Sequence, residues 1–480
     1  MGGGCAVGPN YRPPQTPARA AFLSTDQTNL VSSPVASAWW ESFPDATLQR
    51  LIRTAIATNH DLRIATARLR EARALRRVTT LDLVPTVTGS GGYVQGVNSV
   101  DAMRGLPRAQ REVELFDAGF DATWEVDLFG RVRRSVQAAR AEVQAAAEAR
   151  RNVGLSVVAE VVRNYWELRG VQQQLALAQR NADLQRETLD IVRAKFRAGR
   201  GTELDVARAE AQWNAVAAAV PPLEAAVQRT IFRIAVLCGQ DPATLAAELR
   251  APAALPELPA RVAVGDPTDL LRRRPDVRAA ERALAAAVAR VGVATADLFP
   301  RVTFVGSLGF QANEFSALGD AGSDAYSFGP RITWAALDLG RVRARLRAAR
   351  ARADAQLAAY EKTVLLALEE TEGALVEFGR ARQRRDQLRA ATAAARQAVR
   401  LAQERYRAGV AEYLTVLDAQ RTLTSLEDQL AQAETRAVTA LVAVFKALGG
   451  GAETAAPADP GGPAGPTEAP SATPPVLSSR

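Results

Sequence analysis

From Arg131 to Phe196 alanine and apolar residues recur at helical spacing, with arginines and acids on the remaining faces. About 65 residues at about 1.5 Å each make a rod of about 100 Å, far longer than a globular helix. Such a rod needs neighbours along its whole length. The pattern stops at Lys-Phe-Arg-Ala-Gly-Arg-Gly-Thr-Glu-Leu-Asp-Val, around Gly199 and Gly201, and then resumes. A glycine after a helix takes the left-handed position that other residues resist, so the stretch predicts the turn of a long helical hairpin. Thr202 can cap the returning helix, with Asp205 in its first turn, where a carboxylate suits the dipole.

The same design returns 210 positions later as Arg-Tyr-Arg-Ala-Gly-Val-Ala-Glu-Tyr-Leu-Thr-Val around Gly409 and Val410, without the threonine cap. Trp124 and Gly130-Arg-Val-Arg match Trp334 and Gly340-Arg-Val-Arg at the same offset. Asp82-Leu-Val-Pro matches Asp297-Leu-Phe-Pro at an offset of 215, and the five-residue difference falls in a predicted hairpin, where insertion is cheap. The chain is therefore read as one duplicated unit: helix, strand hairpin, long helix, turn, helix.

The predicted hairpins rest on period two. Phe116, Ala118, Phe120, Ala122 and Trp124 alternate with Asp117, Gly119, Asp121 and Thr123. The partner run, Thr86 to Gln95, is weaker and rich in glycine. In the second copy Val302, Phe304, Leu308 and Phe310 alternate with Thr303, Ser307 and Gln311. Phe328, Ile332 and Trp334 alternate with Ser327, Arg331 and Thr333. Ahead of the first hairpin, Leu48, Leu51, Ile52, Ala55 and Ile56 predict one amphipathic helical stretch from Trp39 to about Val78.

Composition removes several chemistries. Cys5 and Cys238 are the only cysteines and His60 the only histidine, so zinc clusters and histidine-based catalytic triads have no material; no cofactor or metal site is expected. His60 reads as a surface residue beside a helix cap, and Cys238 as a buried small hydrophobe. The net charge of +8 comes almost wholly from arginines dispersed among acids, with no basic block, which speaks against nucleic acid. No apolar run of 18 residues predicts a membrane-spanning helix. Four strands with one apolar and one polar face cannot close a barrel alone, and lipid tolerates no open edge. Three copies give twelve strands around a water-wide lumen, with Asp117, Asp121, Thr123, Arg331 and Thr333 facing inward. The competing reading is a soluble sheet with a coiled-coil tether between membranes and no transport. An enzyme is the weakest reading, since acid pairs such as Glu369 and Glu370 sit in an ordinary charged helix.

The run Asp269-Leu-Leu-Arg-Arg-Arg-Pro-Asp-Val-Arg-Ala-Ala-Glu-Arg, followed by Val291-Gly-Val-Ala-Thr-Ala-Asp-Leu-Phe-Pro-Arg, resembles the signature of TolC-type outer-membrane efflux factors, in their OprM and NodT lipoprotein branch. Cys5-Ala-Val-Gly-Pro-Asn-Tyr-Arg-Pro-Pro, Trp39-Trp40 with Phe43, Tyr413-Leu-Thr-Val-Leu-Asp-Ala-Gln and Ala447-Leu-Gly-Gly-Gly carry the resemblance further, over residues 5 to about 451. It implies a mainly α fold with a membrane β-barrel: a homotrimer whose twelve-strand barrel in outer-membrane lipid continues as a twelve-helix periplasmic tube. Its implied partners are a periplasmic adaptor protein and an inner-membrane RND-type pump, with no enzymatic activity.

Site residues follow from the same resemblance. Cys5 matches an acylated anchor in the periplasmic leaflet, although Met1-Gly-Gly-Gly departs from the expected signal peptide, so acylation is expected only of a precursor. Leu414 and Asp418, one turn apart, match the constriction at the tube's periplasmic end; Asp205 is the weaker third member. Gly199, Gly201, Thr202, Gly409 and Val410 match the tips that meet the adaptor. The expected layout is an anchored arm over 1–38 and a first repeat over 39–250, with a strand hairpin at about 86–124 and a helical hairpin at about 131–248. A linker over 251–267 leads to a second repeat over 268–451, with hairpins at about 301–337 and 341–448, and a disordered tail over 452–480.

Overall fold

The computed structural model describes residues 6–15, 21–23 and 30–451. In chain order its elements are β1 (Leu30–Val31), a single 3-10 turn (Trp39–Ser42), α1 (Ala46–Thr58), α2 (His60–Leu81), β2 (Thr86–Val97), α3 (Arg108–Arg111), β3 (Glu112–Val126) and α4 (Arg131–Arg197). After the first tip come α5 (Glu203–Ala217), α6 (Val220–Leu237), α7 (Pro242–Leu249), β4 (Val262–Ala263), α8 (Pro267–Arg273) and α9 (Pro275–Ala296). Then follow β5 (Arg301–Ala312), a 3-10 turn (Phe315–Ala317), β6 (Asp324–Thr333), α10 (Leu339–Arg407) and α11 (Tyr413–Ala447). The disordered tail expected after 451 and the anchor at Cys5 lie outside the described residues.

The helical stretch predicted from Trp39 to about Val78 is not continuous. Asn59 interrupts it with extended backbone (ψ 131°). Its side-chain oxygen accepts from Leu62 N at 3.0 Å, capping α2, while its Nδ2 donates to Leu237 O at 2.8 Å. An asparagine that satisfies backbone groups on two helices at once favours a cap over a helix interior. The first returning helix breaks as well, at Ala217 to Val220, because Pro221 and Pro222 occupy the opening positions of α6, where their missing N–H costs nothing. Its counterpart α11 runs unbroken.

β2, β3, β5 and β6 form one antiparallel sheet in that order. The helices joined to them pack side by side in the matching order α2, α4, α9, α10. Lower down, α10 lies along α11 and α4 along α5 and α6. The main core sits where these layers meet α1 and α7: Trp39, Leu48, Ile52, Tyr165, Leu168, Ile231, Ile234, Leu249, Phe378 and Leu441 are buried together. A short parallel pair, β1 with β4, fastens the segment before Trp39 to the linker. Among the described residues no helix is long and apolar enough to cross a membrane.

Candidate functional site

Register decides what the sheet presents. Phe120 stands opposite Leu308, Ala118 opposite Phe310, and Trp124 opposite Phe304; Phe304 and Leu308 in turn face Pro330 and Tyr326. On the other flank Val87 pairs with Ala122 and Tyr93 with Phe116. Residues paired across strands share a face, so the apolar sets of all four strands fall on one surface. That surface is bare: Phe120 is 63% exposed, Leu308 65% and Phe328 83%. The opposite surface carries Thr88 beside Asp121, Ser307 beside Ser327 and Thr303 beside Arg331. Ser90 Oγ donates to Asp121 Oδ2 at 3.0 Å on this polar side.

The two hairpin tips are built alike. Gly199 (φ 70°) donates to Phe196 O at 2.9 Å and Arg200 to Lys195 O at 2.9 Å; Gly409 (φ 76°) donates to Tyr406 O at 3.1 Å and Val410 to Arg405 O at 3.0 Å. Each closes its helix with a paired 5→2 and 6→1 bond around a left-handed glycine. In the first tip Thr202 Oγ1 accepts from Asp205 N at 3.2 Å and donates to Asp205 Oδ2 at 2.7 Å, while Thr202 N donates to that same oxygen at 3.3 Å. The carboxylate of Asp205 is therefore engaged in a capping box. Glu412 makes no such side-chain cap on α11.

The start of α11 has two unlike faces. Tyr413 and Leu417 are buried against Leu189, Val192 and Ala209 of the first hairpin. Leu414, 48% exposed, and Asp418 stand together on the free face, one turn apart. Among the described residues the Asp418 carboxylate has no hydrogen-bond or ion-pair partner. Sequence reading missed what fastens α11 here. Arg421 Nε donates to Gln212 Oε1 of α5 at 2.7 Å, and Lys195 Nζ of α4 lies 3.8 Å from the centre of the Tyr406 ring of α10, tying the two long helices together. The Tyr413 hydroxyl is buried without a partner, and burial, with the Tyr406 and Asp205 charges adding to it, raises its pKa.

Two arginines hold the wall to its surroundings. Arg274 of the Arg-Arg-Arg-Pro-Asp run is buried and donates to Ala447 O at 2.8 Å, Glu370 Oε2 at 2.6 Å and Asp276. Arg134 grips the N-terminal arm through Val7 O at 3.1 Å, Gly8 O at 3.2 Å and Asn10 Oδ1 at 2.9 Å. The arm runs on to Tyr11, whose hydroxyl donates to Glu281 at 2.9 Å. Gly8 is irreplaceable there: its φ is 89°, and a Cβ would sit 2.6 Å from Gly292 Cα. The arm thus brings Ala6 against Gly130, at the junction of strands and helices. No group of residues suited to a metal occurs among the described residues. The only free cysteine among them, Cys238, is buried, which pushes its thiol up to about 11, an inert state.

The model of the outer membrane efflux protein family matches residues 51–240 and again 267–450. Nodulation protein T of Rhizobium leguminosarum bv. trifolii is 33% identical over 90% of the chain and 91% of its own length. Outer membrane protein OprJ of Pseudomonas aeruginosa is 33% identical over 94% of the chain and 93% of its own. The solved outer-membrane channel OprN superimposes with a TM-score of 0.88 at 44% identity, covering 94% of this chain and 100% of that one. The two family matches coincide with the two copies of the duplicated unit. The chain belongs to the outer membrane efflux protein family, the outer-membrane channel component of efflux systems.

Proposed function

We propose that three copies of this chain close one twelve-strand barrel in the outer membrane and extend it as a twelve-helix tube into the periplasm, forming a passive export duct. The observation that carries this reading is the four-strand sheet with one exposed apolar face and unpaired edges at β2 and β6. In lipid each unsatisfied edge group costs several kcal/mol, and the smallest barrels need about eight strands. Three copies supply twelve, with Asp117, Asp121, Thr123, Arg331 and Thr333 toward water. The matching order of α2, α4, α9 and α10 supports four tube helices per copy.

In this reading Cys5, which precedes the arm in the sequence, carries the lipid anchor in the periplasmic leaflet. Gly199, Gly201, Thr202, Gly409 and Val410 meet a periplasmic adaptor, which couples the duct to an inner-membrane RND-type pump. Leu414 and Asp418, with Asp205 close by, narrow the far end, and threefold symmetry makes each a ring. Relatives are named for antibiotic efflux, toluene efflux and nodulation. That spread supports assigning the choice of cargo chiefly to the pump.

The test is the mass and conductance of the detergent-purified chain. A trimer that conducts in planar bilayers, and conducts more as Leu414→Ala/Asp418→Ala, supports the reading. A non-conducting monomer sinks the duct; a conducting trimer indifferent to the double substitution sinks only the gate.

A further inference from the structure

The two copies of Gly-Arg-Val-Arg fare differently. In the first, Arg131 holds Glu125 at 2.5 Å, Arg133 holds Asp127 at 2.9 Å, and the following Arg134 grips the arm. In the second, Arg341 has Asp338 at 3.1 Å. Beyond it Arg343, Arg345, Arg347, Arg350 and Arg352 are exposed, with no hydrogen-bond or ion-pair partner among the described residues. No acid interrupts the run from Arg341 to Arg352. Cations in the opening turns of a helix oppose its dipole, so helix stability does not account for them.

Helical geometry sorts the run into rows. Val342, Leu346, Tyr360 and Val364 form the buried seam of α10, where Tyr360 and Val364 pack on Val277 and Leu284 of α9. Opposite that seam stand Ala344, Ala348, Ala351 and Ala355, all exposed. The arginines take the two faces between: Arg341, Arg345 and Arg352 on one, Arg343, Arg347 and Arg350 on the other. In a tube wall one helix thick, each helix has two neighbours, one face to the lumen and one to the outside. In the trimeric duct proposed above, this part of α10 has α9 on one side and would meet the next copy across the small alanines.

We propose that one of these arginine rows lines the duct just below the barrel as a cationic collar, three guanidinium groups per copy, which favours passage of small anionic molecules over cations. The proposal rests on the trimeric duct above. Guanidinium groups around a low-dielectric lumen focus a positive potential across it, as basic rings do in anion pores. The collar is opposite in sign to Asp418 at the far end.

Reversal potentials of the whole trimer in planar bilayers under a KCl gradient test this. Wild type is expected to prefer chloride. Arg341→Gln/Arg345→Gln/Arg352→Gln and Arg343→Gln/Arg347→Gln/Arg350→Gln are expected to differ: one lowers the anion-to-cation permeability ratio by about threefold or more, the other leaves it unchanged. Wild-type preference should also fade between ~0.1 M and ~1 M salt, as the screening length shrinks from ~10 Å to ~3 Å. A conducting trimer that prefers potassium, or that ignores both triple substitutions or answers both equally, overturns the collar alone. Absence of conductance in all three proteins overturns the duct, and the collar with it.

Discussion

The indole Nε1 of Trp124 donates to the carbonyl oxygen of Leu83 at 3.1 Å, and Trp334 makes the same bond to Leu298 at 3.1 Å. Each ties the end of a descending strand to the turn that starts the ascending one. Phe129 and Phe299 stack between the two copies in the neighbouring turns, with ring centres 4.6 Å apart. The bond persists in both copies despite their different hairpin lengths, which points to the junction itself as what is held. An indole with an apolar body and a bonded N–H suits the boundary between lipid and water.

Trp124→Phe and Trp334→Phe keep the ring and remove the donor, so each is expected to cost about 1 kcal/mol. The readout is the temperature at which the assembled protein dissociates in detergent, with conductance unchanged. Equal dissociation temperatures for wild type and both variants would show that the bond contributes nothing.

Arg274 is a harder case, because its charge is buried. Burial works against that charge, but Asp276 and Glu370 hold its pKa above the ordinary arginine value. Removing the arginine leaves Ala447 O without its donor and the carboxylates of Asp276 and Glu370 unpaired but open to water, a loss of about 1.5–3 kcal/mol. Arg274→Ala is expected to lower the thermal stability of the assembled protein by that amount. Arg274→Lys should rescue it only in part, because an ammonium cannot reach Ala447 O and both carboxylates with a planar fork. Full rescue by lysine would reduce the clasp to a simple point charge.

Tyr165 predicts how stability responds to alkali. Its hydroxyl donates to Asp45 Oδ2 at 2.6 Å and accepts from Arg169 at 3.1 Å, and burial together with Asp45 pushes it up to about 12. A phenol raised above its usual value of about 10 contributes fully below about pH 10 and progressively less toward about pH 12. Tyr165→Phe should lower thermal stability near pH 8 by about 1 kcal/mol, yet flatten the decline between about pH 10 and 12. Parallel wild-type and variant curves through that window would refute the assignment.

What was legible in the sequence was periodic. The spacing that predicts α4 and α10, and the alternation in β3, β5 and β6, follow from the repeats of 3.6 and 2.0 residues. The break at Asn59 was hidden because Leu48 to Ile56 and Leu62 to Leu69 both keep helical spacing across it. Arg274 was visible as part of a motif, but its partners Glu370 and Ala447 lie 96 and 173 positions away, beyond any local pattern. The arginines of α10 read as dispersed because alanine, valine and leucine alternate with them. Only the packing, which buries those apolar residues or sets alanines on the far flank, gathers the charges into rows.

At the tips, folding and function can be pulled apart. A Cβ added at Gly199 or Gly409 meets nothing within 4 Å, so the cost of replacement there is backbone strain alone, about 1–2 kcal/mol for a left-handed residue. That strain acts at a hairpin end remote from the main core, where local opening does not unfold the protein. Thr202→Ala removes a cap worth about 1 kcal/mol, and only in the first tip, since α11 has no equivalent. Hydrogen exchange should therefore quicken around 199–206 in Thr202→Ala and stay unchanged around 409–416. Gly199→Leu and Gly409→Asp should leave trimer yield and conductance intact while weakening capture of the adaptor and lowering drug export by cells. Normal export by both glycine variants would remove the tips from the adaptor contact and leave them as plain hairpin ends.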